Sequence, residues 1–198
     1  MRWLFPFLLA CCGFAAAQQP GGVDVAGVRF DSRAQIGGTE VLLNGAGLRG
    51  VLGFKFYVIG LYLPQRQQGS EQALRAAGAK RLQIVTMFDL NAELVAAGLT
   101  KGIRRNLREE EFSELQPRVD MLRAAVRATR QAAAGSLIQF DWIPAADGRG
   151  GYTRLSVNAQ PRGEDIPGED FYQALLKVWL GEKVNDTKLR DALLGRAW

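Results

Sequence analysis

The stretch NGAGLRG, residues 44–50, sets one arginine, Arg49, just ahead of Phe54 to Leu63, a run that is apolar on both faces. A guanidinium beside apolar walls needs an anion, because an unpaired buried charge is costly. That anion is either a carboxylate of the chain or the head group of a ligand. Residue type alone favours the structural ion pair, since most arginines are surface or structural. Gly45, Gly47 and Gly50 are expected where the backbone turns tightly or lets a ligand come close.

What surrounds Arg49 in composition narrows the chemistry. The chain of 198 residues has no histidine and only two cysteines, Cys11 and Cys12. A Ser-His-Asp triad and a Cys-His pair are excluded. Both cysteines fall in an amino-terminal segment that reads as a signal. The mature chain then has no thiolate or imidazole for zinc or haem. No metal and no cofactor is expected. Carboxylates, hydroxyls, Lys and Arg remain.

The amino end, MRWLFPFLLACCGFAAAQQ, has Arg2, an apolar run from Trp3 to Ala10, and a small-residue site at Ala15-Ala16-Ala17. This predicts a signal peptide over residues 1–17, cleaved after Ala17. The run is too short to span a bilayer, and no later apolar segment is long enough, so no integral membrane anchor is expected. LLAC before Cys11 resembles a lipoprotein box but would leave a very short signal. A periplasmic or secreted location follows. Net charge is +5, but GIRRNLREEEF alternates sign and no basic stripe is interleaved with aromatics, so a nucleic-acid partner is not expected.

Several elements must position Arg49. Residues 18–26 read as a flexible leader, and residues 27–198 as one domain. Short strands are expected at Val28 to Phe30 and Thr39 to Leu43, then Phe54 to Leu63, closed by Pro64, and Arg81 to Phe88. Gly60 in mid-strand signals a bulge or something passing close. Asn91 caps a helix with Leu94, Val95 and Leu99 at helical spacing. Phe112 to Ala133 carries one apolar stripe, with Pro117 as a first-turn residue. Its Arg123, Arg127 and Arg130 read as a solvated face, with weak contact to an anionic membrane surface as the alternative. SLIQFDWIP and YTRLSVN flank the turn AADGRGGY as a hairpin. Two helices end the chain, one stopping near Gly181 and one capped by Asn185. The order predicts an α+β fold, an antiparallel sheet with helices on one face.

LNGAGLRGVLGFKFYVIGLYL resembles the chalcone isomerase family signature: a Gly-Ala-Gly segment, an arginine, then a phenylalanine-rich strand ending in Gly-x-Tyr-Leu. DFYQALLKVWLGEKVNDTKLRDALLG is similar to that family's closing segment. The likeness runs over about residues 27 to 195, and the signal places it with the secreted bacterial branch. The resemblance implies an open-faced β-sandwich with a helical layer and a ligand cleft between them. In the plant enzymes the reaction closes a flavanone ring by adding a phenolate to an enone, and the arginine pairs with the phenolate. Arg49 matches that arginine. A catalytic threonine falls on Tyr57, and a second falls on Val178, which has no hydroxyl. Lys101 and Asn106 lie near the family's lysine and asparagine positions, without the tyrosine between them.

The anchor therefore stays while its helpers change. Catalysis needs groups aimed at charge that develops in the transition state, whereas holding an anion needs only the arginine and a dry pocket. Three readings stand open. One is a non-catalytic binder of a small fatty or aromatic acid held by Arg49 and Tyr57. The second is an intramolecular lyase of chalcone isomerase type. The third is a structural or partner-binding envelope protein whose Arg49 is a plain ion pair. An apolar cavity at Arg49 would support the first two. A filled cleft, with Arg49 on an internal carboxylate, would support the third.

Overall fold

The computed structural model describes residues 21–129 and 131–196. The expected signal peptide, the start of the leader and Arg130 lie outside the described residues. In chain order the strands and helices are β1 (Val23–Val25), β2 (Val28–Phe30), β3 (Arg33–Ile36), β4 (Thr39–Val51), β5 (Phe54–Leu63), α1 (Ser70–Arg75), β6 (Lys80–Thr86), β7 (Leu90–Asn91), α2 (Ala92–Arg105), α3 (Glu109–Ala128), β8 (Gln131–Ala132), β9 (Leu137–Pro144), β10 (Gly151–Val157), β11 (Gln160–Pro161), β12 (Ile166–Pro167), α4 (Glu169–Leu180) and α5 (Thr187–Leu193). Val23–Val25, expected inside a flexible leader, pairs with Val28–Phe30 as a small hairpin.

Eight strands form one antiparallel sheet in the order β11–β10–β9–β6–β5–β4–β3, with β12 also on β10. The alternation of β5 explains its two covers. Tyr57, Ile59, Leu61 and Leu63 face the helices, while Val58 and Tyr62 join a second core with Phe30, Val41 and Leu43. Gly60 is where something passes close: a methyl there would meet the Phe30 ring at 2.7 Å. The helical side of the sheet holds the larger core, with Leu82, Phe140, Trp142, Phe171, Leu175 and Leu176 all buried. The expected α+β architecture, antiparallel with its helices on one face, is what the chain adopts.

Local differences have local causes. The capped helix begins as expected, with Asn91 Oδ1 accepting from the amides of Glu93 and Leu94. α3 starts earlier than expected, at Glu109, and runs on through Pro117, which sits on an exposed side of the helix instead of in its first turn. One i→i−4 bond is lost there. α5 is capped by Asp186, one residue beyond Asn185, through Oδ1 accepting from Leu189 N at 3.0 Å.

NGAGLRG is not a turn. It lies within β4, which is 13 residues long. A methyl on Gly45 would overlap the carbonyl oxygens of Ala192 and Leu193, and one on Gly47 would meet Leu189 Cδ1 at 2.7 Å. The glycines let α5 lie directly on the strand, which is a packing need and not a ligand's approach. The expectation of a tight turn is corrected on that ground.

Candidate functional site

Arg49 follows Gly45 and Gly47 on the same face of β4, and α5 runs back along that face. Arg49 therefore meets the start of α5. Its Nη1 donates to Asp186 Oδ2 at 2.8 Å, with both side chains about one quarter exposed, at 25% and 23%. One carboxylate thus caps a helix with one oxygen and holds the arginine with the other. The sequence separation is 137 residues.

Tyr57 stands opposite Arg49 in the β4–β5 ladder, so the two side chains share a face. Its hydroxyl oxygen accepts from Trp179 Nε1 at 2.9 Å, which leaves the phenol its own proton to donate. Burial pushes the Tyr57 phenol above its ordinary value. The Trp179 hydrogen bond and the Arg49 charge pull it partly back, and Asp186 pushes it up. The group is therefore a neutral donor at ordinary pH.

Behind these groups lies a cavity of about 590 Å³ between sheet and helices. That is within the ordinary range of small-molecule sites. Its wall is apolar: Ile84, Ile138, Phe140 and Leu155 come from the sheet, and Val95, Leu99 and Val126 from the helices. Arg49, Tyr57, Lys101 and Val178 all line it, as do Trp179 and Asp186. Val178 contributes methyl groups, packed so closely that a side chain on Gly102 would meet them at 2.8 Å.

Asn106 is not brought to the cavity. Its Nδ2 donates to the Gly102 carbonyl and its Oδ1 accepts from Lys183 N, so it ties the end of α2 to the segment after α4. The short amide is consumed by backbone groups that would otherwise be unpaired at a helix end. The residues that sequence reasoning missed are Asp186 and Arg105. Arg105 lines the cavity, donates to Asn185 Oδ1 at 2.5 Å, and keeps a buried Nε without a partner. Asp186 was legible as a cap-type residue, but nothing local links it to Arg49.

Three cations, Arg49, Lys101 and Arg105, face two carboxylates, Asp89 and Asp186. Asp89 is already held by Gln131 Nε2 and Ala134 N. The mouth is thus weighted toward an anion. Among the described residues no group of three or more Cys, Asp or Glu side chains could hold a metal. No described helix is long and apolar enough to cross a membrane. Both halves of the stated test hold at once: the cavity is open, and Arg49 has an internal carboxylate.

A sheet of this topology under a helical layer, enclosing an apolar cavity with an arginine at its rim, defines a chalcone isomerase-like fold. The chain matches the chalcone isomerase-like family over residues 22–195 and belongs to it. Among solved structures, a fatty-acid binding protein of Arabidopsis thaliana matches with a TM-score of 0.67 and 15% identity, over 86% of this chain and 93% of that one. At that identity the likeness carries the fold alone. No curated protein matches the chain.

Proposed function

We propose that the protein binds a small amphipathic acid, fatty or aromatic, without transforming it, and does so outside the inner membrane after loss of its signal. The observation that carries this is the apolar cavity of about 590 Å³ with Arg49, Tyr57, Lys101 and Arg105 on its lining. The apolar wall takes the tail. Arg49 spends one N–H on Asp186 and keeps the rest of its fork for a carboxylate. Tyr57 adds a neutral donor. The Arabidopsis neighbour, a fatty-acid binding protein, supports the reading by the same fold.

The ring-closing lyase has less support. Val178 offers no hydroxyl, and Arg49 is partly neutralised by Asp186. Preorganised donors at the developing charge are what such a reaction needs. The purely structural reading accounts for the Arg49–Asp186 pair but leaves the cavity without a use. Native mass spectrometry of protein purified from the periplasm tests the proposal, with a co-purified acid as the expected result. Calorimetric titration with laurate and methyl laurate is the second arm. If no acid co-purifies and acid and ester bind alike, or neither binds, the reading fails.

A further inference from the structure

Every large apolar side chain that stands exposed among the described residues lies beside the cavity mouth. These are Val51, Leu52, Phe54, Phe88 and Leu94, at 44%, 94%, 74%, 41% and 74% exposure. Val51, Phe88 and Leu94 line the cavity itself. Leu52 and Phe54 belong to the adjacent β4–β5 turn. The Phe56 and Phe88 rings pack edge to face with centroids 5.4 Å apart, so the hairpin and the segment after β6 form one surface. Scattered exposed apolar residues are ordinary, but a gathered patch marks an interaction site.

The turn itself points the same way. Val51 pairs with Phe54, leaving Leu52 and Gly53 as the two central residues, with φ of +50° and +84°. That is the left-handed hairpin turn for which Asn-Gly or Asp-Gly is the favoured choice. Leucine there is strained in backbone and almost fully bare to water, two disadvantages with no contact in the chain to offset them.

Basic residues surround the patch. Lys55 follows Phe54, and Lys101 and Arg105 follow Leu94 on the cavity side of α2. Among the described residues none of the three has a carboxylate at ion-pair distance, whereas Glu93 is bonded to Arg127 and Asp186 to Arg49. We propose that this rim docks on an anionic lipid bilayer. Leu52 and Phe54 enter the interfacial apolar layer, while Lys55, Lys101 and Arg105 meet the head groups. The cavity then opens against the membrane. A second copy of the chain is a poor occupant, because a two-fold contact here would set these unpaired cations against their own copies. The docking stands on the rim. Passage of a lipid-derived acid from bilayer to cavity rests in addition on the function proposed above.

Co-sedimentation with vesicles tests it, using phosphatidylcholine alone and phosphatidylcholine with phosphatidylglycerol. The wild type binds the anionic vesicles, more weakly as salt rises, and binds the neutral ones poorly. Leu52→Asn with Phe54→Thr suits the turn and the strand better than the native residues, so folding is preserved. That variant loses at least roughly tenfold in vesicle affinity. Lys55→Gln loses roughly fivefold. Titration with laurate in the absence of vesicles is unchanged in both, since none of these residues lines the cavity. Vesicle binding that the double variant retains, or its absence in the wild type, overturns the docking. So does a dimer in sedimentation velocity that the double variant dissolves, which would make the rim a self-interface. Vesicle binding without laurate binding leaves docking intact and removes the acid-binding reading. The reverse result does the opposite.

Discussion

Asp186 gives the sharpest test of how Arg49 is used. Its Oδ1 caps α5 and its Oδ2 holds Arg49 Nη1, so charge and cap can be separated by choice of substitution. Asp186→Asn keeps an oxygen for the Leu189 amide and removes the charge. The partly exposed ion pair is worth about 1 kcal/mol, so stability falls by no more than that. Asp186→Ala removes the cap as well, for about 1 kcal/mol further. Urea denaturation should therefore place the asparagine variant between wild type and the alanine variant. Ligand affinity moves the other way. An acid bonded to Arg49 must sit near the Asp186 carboxylate, and like charges about 4 Å apart cost about 1 kcal/mol in water and about 4 at an effective dielectric of 20. The quarter-exposed mouth lies nearer the first limit. Asp186→Asn should then bind laurate roughly five- to thirtyfold more tightly, and methyl laurate no better than wild type does. Calorimetric titration reads both. If the asparagine variant binds laurate less tightly or equally, the head group does not sit at Arg49.

The remaining expectations concern glycines, tyrosines, chemistry and processing. Gly45→Ala should cost about 3 kcal/mol by overpacking against the backbone of α5, whereas Gly98→Ala, with open space around it in α2, should stabilise by about 1; chemical denaturation separates the two. Burial raises the phenols of Tyr57 and Tyr172, and pushes Tyr62 from 10.0 to about 12. The folded state thus holds these protons more tightly than the unfolded one. Each contribution is whole below pH 10 and is lost above it, that of Tyr62 as pH climbs from 10 through about 12; a denaturation midpoint that stays flat from pH 10 to about 12 would refute it. Flavanone formation from a chalcone should stay near the spontaneous rate, and an excess that Arg49→Ala abolishes would overturn the non-catalytic reading. Amino-terminal sequencing of the exported form should find a chain starting after Ala17, and a lipid-modified Cys11 or Cys12 would overturn that expected cleavage.

Much of the fold was legible because periodicity and caps are local. Phe54–Leu63 announced a doubly covered strand by its apolar residues on both faces, Asn91 announced a helix start, and the Asp-Gly and Gly-Gly pairs announced the hairpin from β9 to β10. The absence of histidine excluded triads from composition alone. Arg49, Tyr57, Lys101 and Val178, positions picked out in the sequence, line the cavity. Asn106 did not, because an amide near a helix end is as readily taken by backbone groups as by a cleft. What the sequence could not carry was the meeting of elements distant along the chain. Gly45 and Gly47 look alike whether they serve a turn, a ligand or a helix; only the approach of α5 decided for the helix. Asn185 and Asp186 are both good caps, and a shift of one residue put a carboxylate, not an amide, against Arg49. Residue types fixed that Arg49 needed an anion, since an unpaired charge beside apolar walls is costly. Only the tertiary structure decided that the chain supplies one, because that contact depends on where α5 packs and not on any local propensity.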